Sequence, residues 1–507
     1  MARLSLYLPP LAGDYSGVCS TLFGLDCLVI IVDANCCTRN YVEYDEPRWA
    51  RRRKTAFSAQ LRTLEAVMGD DERIISQACE AAEELAPACV AIIGSPVPAI
   101  MGMDLAGMAC EVEARTGIPS LGLSTTGFET YEQGVSLALD ALVARFCAGD
   151  SVSRAGEAGC GPAAGGACAP GTLEAVGGSA PVADDGAAVS EETSPRLRVN
   201  VLGLSPHDFA DEADIRCVRT WLAEAGVDAA FCPDGTYTLD DVAQASVADV
   251  SLVVAWSGLA AARRLREEYG VPFVVGRPLC AEDAFALARK LRAAAGGAPG
   301  EAGDASAIGD DPCSVGNAPL SGAAVVGGAS GQGTSSGAAP CSAEGDALSG
   351  AATLDAALAS AASALEALLG ELPVVSAIPG RPVPLLIIGE QVWSNAVRGH
   401  ARQMLMASQD ERPIVVASLF AMDDALMEPG DLRLPDEAAL QDVARENPGL
   451  AWIGDPLLAR IPELGEAPHL AVPHEALSST LYERDRAALS GGGMLRALEG
   501  FIAELRD

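Results

Sequence analysis

Short apolar runs alternate with amphipathic stretches along most of the chain. CLVIIVDA (27–34), ACVAIIGS (88–95) and IPSLGLST (118–125) are β-rich runs closed by turns. Runs of this length without period-two alternation fit strands buried on both faces. Between them, ERIISQACEAAEELA (72–86) places Ile75, Cys79, Ala82 and Leu85 on one helical face. MDLAGMACEVEART (103–116) and YEQGVSLALDALVARF (131–146) read as further helices. The plan recurs with strands at RVNVLGL (198–204), VSLVVAWS (250–257) and VPFVVG (271–276), and helices at 211–226, 261–270 and 281–294. A third block has strands at PLLIIG (384–389), PIVVASL (413–419), LAWIGD (450–455) and HLAVP (469–473), and helices at 391–405 and 435–447. Strand–helix alternation of this kind predicts three doubly wound, Rossmann-like α/β domains with parallel sheets. Such domains bind ligands beyond the C-terminal ends of their strands and between domains.

Two stretches break the pattern. Residues 148–195 and 295–350 are almost wholly Gly, Ala, Ser, Pro and acid. They lack the large apolar side chains that offset chain entropy, and read as disordered linkers or insertions. The predicted organisation is a first α/β domain over 1–147, a linker over 148–195 and a second domain over 196–294. A linker over 295–350 and a third domain over 351–507, ending in a helix, complete it.

Composition narrows the chemistry. The net charge is −35, and Lys54 and Lys290 are the only lysines. So acidic a surface repels phosphate backbones, which argues against a nucleic-acid partner. No apolar run is long enough to span a bilayer, and the N-terminus lacks a secretory signal, so a cytoplasmic protein without a membrane partner is expected. There thiols stay reduced, and the fifteen cysteines read as core residues or metal ligands rather than disulfides. Neither lysine lies in a G-x-x-x-x-G-K-[ST] context, so ATP binding through a P-loop is excluded. H-E-x-x-H and C-x-x-C do not occur, which argues against structural zinc. No G-x-S-x-G joins a strand to a helix as a serine-hydrolase elbow would, the GTSSG at 333–337 lying in the second low-complexity tract.

The segment YSGVCSTLFGLDCLVIIVDANCCTRNY (15–41) concentrates thiols. Cys19 is expected in a loop before the first strand, and Cys36 and Cys37 in the turn after it. Both positions lie at strand edges, where side chains converge on a site outside a sheet, and thiolates are the preferred iron–sulfur ligands. Cys27, Cys79, Cys89 and Cys110 fall at apolar positions of regular elements and are expected to pack. Cys160, Cys168, Cys313 and Cys341 in the low-complexity tracts read as incidental surface thiols.

Apart from the two tracts, the chain resembles the nitrogenase component 1-type oxidoreductases. That family includes the subunits of the molybdenum–iron protein, their scaffold homologues and the catalytic subunits of dark-operative protochlorophyllide reductase. LAGDYSGVCSTLFGL (11–25) is similar to the family's first cluster-cysteine loop, and VDANCCTRNY (32–41) to the second. KTAFSAQLRTLEAVMGDDERIISQACEAA (54–82) resembles the segment that follows, and IIGSPVPAIMGMDLAGM (92–108) the third cluster motif. IGEQVW (388–393), WIGDPLL (452–458) and VPHEALSSTLY (472–482) carry the likeness into the last block.

The departures shape the expectation. Ser95 stands where the family usually has a third cysteine, and Met103 replaces the first aspartate of a pair that keeps Asp104. The resemblance implies Cys19 and Cys37 as metal ligands, with Cys36 the alternate for Cys37 and Ser95 an oxygen donor or hydrogen-bond partner. A [4Fe–4S] cluster shared with a second component 1-like subunit fits this set better than an eight-iron cluster. Ala255 lies nearest the position of the cysteine that holds the iron–molybdenum cofactor, and His474 is a loose match to its histidine anchor. That cofactor is therefore not expected, nor is dinitrogen as substrate. The implied function is an oxidoreductase subunit of a two-component system, supplied with electrons by an ATP-dependent iron–sulfur reductase. A cofactor-assembly scaffold of the same family and a non-enzymatic binding module for tetrapyrroles or metal chelates are the alternatives.

Overall fold

The computed structural model describes residues 5–46, 48–49, 56–62, 69, 71–147, 196–209, 212–233, 235–296, 384–478 and 492–505. These belong to one compact unit of the chain, Met1–Gly309 with Ala377–Asp507; a second unit, Asp310–Ser376, lies outside the described residues. So do the tract at 148–195, the rest of the tract at 295–350 beyond a helix end at Gly296, and the cysteines within the tracts.

The first block begins with helix α1 (Asp14–Leu22) and strand β1 (Cys27–Ile31), followed by the short helix α2 (Cys36–Asn40) and strand β2 (Ala56–Ser58). Helix α3 (Asp71–Leu85), strand β3 (Cys89–Ile93), helices α4 (Pro96–Met101) and α5 (Leu105–Thr116), strand β4 (Ser120–Leu123) and helix α6 (Tyr131–Phe146) complete it. The sheet order is β2-β1-β3-β4, all parallel. β1 and β3 are buried along their whole length, as their unbroken apolar runs require.

The second block runs β5 (Leu197–Leu202), α7 (Glu212–Glu224), β6 (Val227–Phe231), α8 (Leu239–Gln244), β7 (Val250–Val253), α9 (Leu259–Tyr269), β8 (Phe273–Val275) and α10 (Ala281–Gly296). Its parallel order is β6-β5-β7-β8. The third runs β9 (Leu385–Ile388), α11 (Gln391–Ala407), β10 (Ile414–Ser418), β11 (Leu432–Arg433), α12 (Glu437–Glu446), β12 (Ala451–Gly454), β13 (His469–Ala471), α13 (Glu475–Ser478) and α14 (Gly492–Glu504). Its order is β11-β10-β9-β12-β13, again parallel. The predicted doubly wound α/β architecture is thus present three times.

In each sheet the chain reverses direction beside its first strand, between β1 and β3, β5 and β7, and β9 and β12. Loops on either side of such a reversal part and leave a crevice, the usual ligand position in this architecture. Cys36 and Cys37 follow β1 and Ser95 follows β3, whereas His207 and Glu390 follow β5 and β9.

Several sequence expectations need correction. Cys19 lies in α1, not in a loop. Its sequence of mostly small residues, DYSGVCSTL, reads poorly as a helix because its one glycine, Gly17, lowers propensity. That glycine serves packing: a Cβ there would sit 1.9 Å from the Tyr131 carbonyl oxygen in α6, and one at Gly134 would sit 1.8 Å from the Asp14 carbonyl oxygen. α3 buries Ile74, Ile75, Ala78 and Ala82 while Leu85 is exposed, so its apolar face is rotated toward residue 78. Cys27 and Cys89 are buried and pair in register across β1 and β3, but Cys79 is only half-buried and Cys110 is exposed. β6 and α8 are elements the pattern did not reveal; VDAAF has exposed central residues at a sheet edge, and α8 is short.

Candidate functional site

The first candidate site lies at the end of β1. Asn35 adopts a left-handed conformation (φ 71°), which asparagine tolerates better than most residues. The resulting turn presents Cys36 to solvent and tucks Cys37 inward, with their sulfurs 3.9 Å apart. Ligand atoms of Asp33, Cys36 and Cys37 all lie within 4.8 Å of one another. The buried Asp33 carboxylate accepts from Thr38 N (2.8 Å), Thr38 Oγ1 (3.1 Å) and Ser58 Oγ (2.5 Å), which pins the turn to the neighbouring edge strand.

Cys19 is buried one helical turn after Tyr15, and shares an apolar cluster with Tyr15, Cys37 and Tyr41. It does not join the group formed by Asp33, Cys36 and Cys37. Ser95, at the end of β3, is buried and donates from Oγ to the Val32 carbonyl (2.8 Å). The structure therefore brings Cys36 and Cys37 together, adds Asp33, and places Cys19 on the core side and Ser95 at the adjoining strand end. Burial pushes the Cys37 thiol up to about 12, with Cys36 adding to the shift. Burial, then Glu46, Asp33 and Asp45, push the Cys19 thiol well above its ordinary value.

A polar girdle holds α1 against the π-helical turn Tyr41–Asp45. Arg48 donates from Nε to Glu46 Oε1 (2.7 Å), and from Nη2 to Glu46 Oε2 (2.8 Å) and the Ser20 carbonyl (2.7 Å). Burial opposes the Glu46 charge, but Arg48 prevails and holds its carboxyl below the ordinary range. Ser16 and Asn40 donate to Asp45 (2.6 and 2.8 Å), yet burial lifts the Asp45 carboxyl to about 6.

The second candidate site gathers residues from all three blocks. Tyr131 stacks on His207 at 4.8 Å between ring centroids, Phe420 stacks on His474 at 4.8 Å, and Tyr131 meets Phe420 edge-on at 5.5 Å. The Tyr131 hydroxyl donates to Asp208 Oδ1. Glu390 accepts from the backbone nitrogens of Trp256 (2.8 Å), Val392 (3.0 Å) and Trp393 (2.8 Å), joining the second and third blocks. The Arg277 guanidinium lies 3.7 Å over the Phe209 ring.

Many polar atoms here lack partners. Among the described residues, none of the three Arg277 guanidinium nitrogens has a hydrogen bond, though the residue is only 3% exposed. The same holds for both ring nitrogens of His474, His207 Nε2, Asp208 Oδ2 and Glu132 Oε2. Burial lowers His207 to about 4 and His474 to about 3, so both rings are neutral at physiological pH. Burial raises the carboxyls of Asp208, Glu390 and Glu132. Buried polar groups are almost always paired, so a concentration of unpaired ones beside aromatic rings has the character of a ligand site.

His474 was a sequence candidate and is part of this junction; Tyr131, His207, Asp208, Arg277 and Glu390 were not recognised. Their signal was position: SPHDF follows β5, GRP follows β8 and GE follows β9, each a polar residue just past a buried strand. Ala255 is fully buried after β7, facing Gly203.

Comparison with known proteins adds three findings. A profile of nitrogenase component 1 type oxidoreductases matches residues 14–308. The fold is similar to solved structures of nitrogenase Cp1, one at pH 6.5 (TM-score 0.56, 11% identity, 100% of this chain and 95% of that chain covered) and one at pH 5 (TM-score 0.52, 13% identity, 100% and 89% covered). None of the curated proteins searched matches the chain.

Proposed function

The chain belongs to the nitrogenase component 1 type oxidoreductases, and from that we propose that it is one subunit of a two-component reductase whose substrate binds where the three α/β blocks meet. The observation that carries this reading is the buried Arg277 guanidinium, which makes no hydrogen bond although Asp208, Glu390 and Asp214 lie within its field. Buried donors left without hydrogen bonds are costly, and a ligand bearing an anionic group would satisfy them bidentately.

The remaining junction residues suit a reduction, in which added electrons must be matched by protons. Burial raises the Asp208 carboxyl, so it retains a proton to higher pH than an ordinary aspartate and can donate it from Oδ2, while Tyr131 fixes Oδ1. His207 and His474, held neutral, offer ring nitrogens that position substrate without adding charge. Phe209, Phe420 and Tyr131 form apolar walls that exclude water. Ala255 supplies no ligating atom, so we propose a substrate other than dinitrogen and no iron–molybdenum cofactor.

The cysteine segment fits an iron–sulfur cluster as part of a shared site. Cys36 and Cys37 hold their sulfurs 3.9 Å apart beside Asp33 at the end of β1. A [4Fe–4S] cluster takes one cysteine per iron, so one of the pair serves. Cys37 and Cys19 would hold the cluster, with Cys36 or Ser95 as further donors and a second component 1-like subunit completing it. When bound, it supplies one-electron transfer. Since the chain has no P-loop, a separate ATP-dependent iron–sulfur reductase would provide the electrons.

Anaerobic isolation with its partner subunit tests this reading through iron and sulfide content and paramagnetic resonance of the reduced complex. A cluster signal lost in Cys37→Ala and Cys19→Ala but retained in Cys27→Ala is expected. A complex without iron, or full iron in both ligand variants, would refute it.

A further inference from the structure

A third cluster of chemistry-bearing side chains lies apart from both sites. Cys280 immediately precedes α10, Asp283 is in that helix's first turn, and His400 is in α11 of the third block. Their ligand atoms all lie within 4.8 Å of one another. His400 Nε2 and Asp283 Oδ2 are 2.9 Å apart, and Leu279 N donates to the same oxygen (2.9 Å). The Cys280 thiol is also hydrogen-bonded to the Asp283 side chain, so the carboxylate is the common partner of the thiol and the imidazole.

The placement is rigid. Leu279, just before Cys280, is fully buried in the apolar cluster of the third block, with Leu385, Trp393, Val397 and Ala401. Val397 and Ala401 flank His400 on α11, so the contact that docks the loop also brings the cysteine and the imidazole together across a block boundary. The group is sheltered but reachable: Cys280 is buried, whereas the Asp283 and His400 side chains are about one-fifth exposed, at 22% and 19%. Glu282 is hydrogen-bonded to Cys280 and also faces His400.

We propose that Cys280, Asp283 and His400 form a binding site for a divalent zinc ion that clamps the second block to the third. One sulfur, one imidazole nitrogen and one carboxylate oxygen are the donor types zinc prefers, and three protein ligands with water or Glu282 in the fourth position complete a tetrahedron. A thiolate and a carboxylate neutralise the ion. The cation in turn offsets the cost of ionising a thiol that burial otherwise raises to about 12. The proposal is independent of the reductase reading, because none of these residues takes part in the cysteine segment or the junction.

Cobalt(II) is the probe, since a thiolate ligand gives it a near-ultraviolet charge-transfer band and tetrahedral geometry gives it intense visible bands. The full-length protein, kept reduced and anaerobic, is titrated with cobalt and then zinc. One equivalent producing both sets of bands, bleached by zinc, is expected. The bands should vanish in Cys280→Ser and in His400→Gln and persist in the double variant Cys36→Ala/Cys37→Ala. Zinc should raise the thermal midpoint of the wild type and not that of His400→Gln, a partly exposed substitution that leaves the apolar docking intact. The proposal is overturned if the bands are absent, survive in Cys280→Ser or His400→Gln, or disappear with Cys36 and Cys37.

Discussion

Arg277 sets the energetic tone of the junction. Its guanidinium makes no hydrogen bond, yet Asp208, Glu390 and Asp214 act on it as counter-charges. Removing one member of a buried charge set leaves the others uncompensated, so Arg277→Met should destabilise the substrate-free protein by at least about 1 kcal/mol in urea unfolding. A gain in stability would show that the carboxylates do not balance the guanidinium. His207 offers a test by pH. An unfolded histidine takes up its proton near 6.5, whereas the folded ring stays neutral down to about 4. Between those values the unfolded state binds more protons, so the contribution of His207 is complete above 6.5 and is lost as pH falls toward 4. Asp45, raised from 3.8 to about 6, acts in the opposite sense: its contribution is complete below 3.8 and is lost as pH rises through 6. Comparing wild type with His207→Gln cancels the Asp45 part. The stability difference between the two proteins should shift by about 2 kcal/mol against the wild type from pH 7.5 to pH 5; an unchanged difference would mean that the ring is not buried neutral.

At the scale of elements, glycine pairs distinguish packing from propensity. Gly134 lies where a Cβ would meet the Asp14 carbonyl oxygen at 1.8 Å, whereas one at Gly399 in α11 meets nothing within 4 Å. Gly134→Ala should separate α1 from α6 and cost at least about 3 kcal/mol, as overpacking against backbone does. Gly399→Ala should stabilise by roughly 0.5–1 kcal/mol through helix propensity. Thermal unfolding of the two variants reads both signs, and equal effects would contradict the close helix crossing. The same features explain what the sequence disclosed. The strands of buried sheet centres, such as β1, β3 and β9, and the helix α6 were legible because long apolar patterns leave few alternatives. α1 was not, because its glycine serves a tertiary contact that no local pattern encodes. β6 and β11 were not, because edge strands need few apolar residues. At the cysteine segment, the thiols and the turn were visible in sequence, but the inward tilt of Cys19 and the recruitment of Asp33 depend on helix α1 and strand β2. The junction was the least legible part: its residues are single polar side chains after strands far apart in the chain, and only the meeting of three sheets gives them a common environment.

For the whole molecule, a net charge of −35 implies self-repulsion that salt relieves. Raising sodium chloride from about 0.02 M to about 0.5 M, with screening length falling several-fold, should raise the thermal midpoint; a fall would mean that specific ion pairs outweigh the general field. Among the described residues many ion pairs are exposed, such as Arg196–Asp228 and Arg39–Glu43, and such pairs contribute little individually. Three parallel sheets whose reversal points carry thiols in the first block and polar groups without hydrogen bonds in the others give the molecule two distinct candidate sites, which we propose serve electrons and substrate. The central claim is that electrons enter this chain from a separate ATP-driven protein. Its most direct test is to mix the anaerobic complex rapidly with a reduced ATP-dependent iron–sulfur reductase, freeze the mixture and record paramagnetic resonance with and without ATP. The account predicts a reduced iron–sulfur signal in the complex that grows only with ATP and is missing in Cys37→Ala; a complex with no such signal, or one reduced equally without ATP, would contradict it.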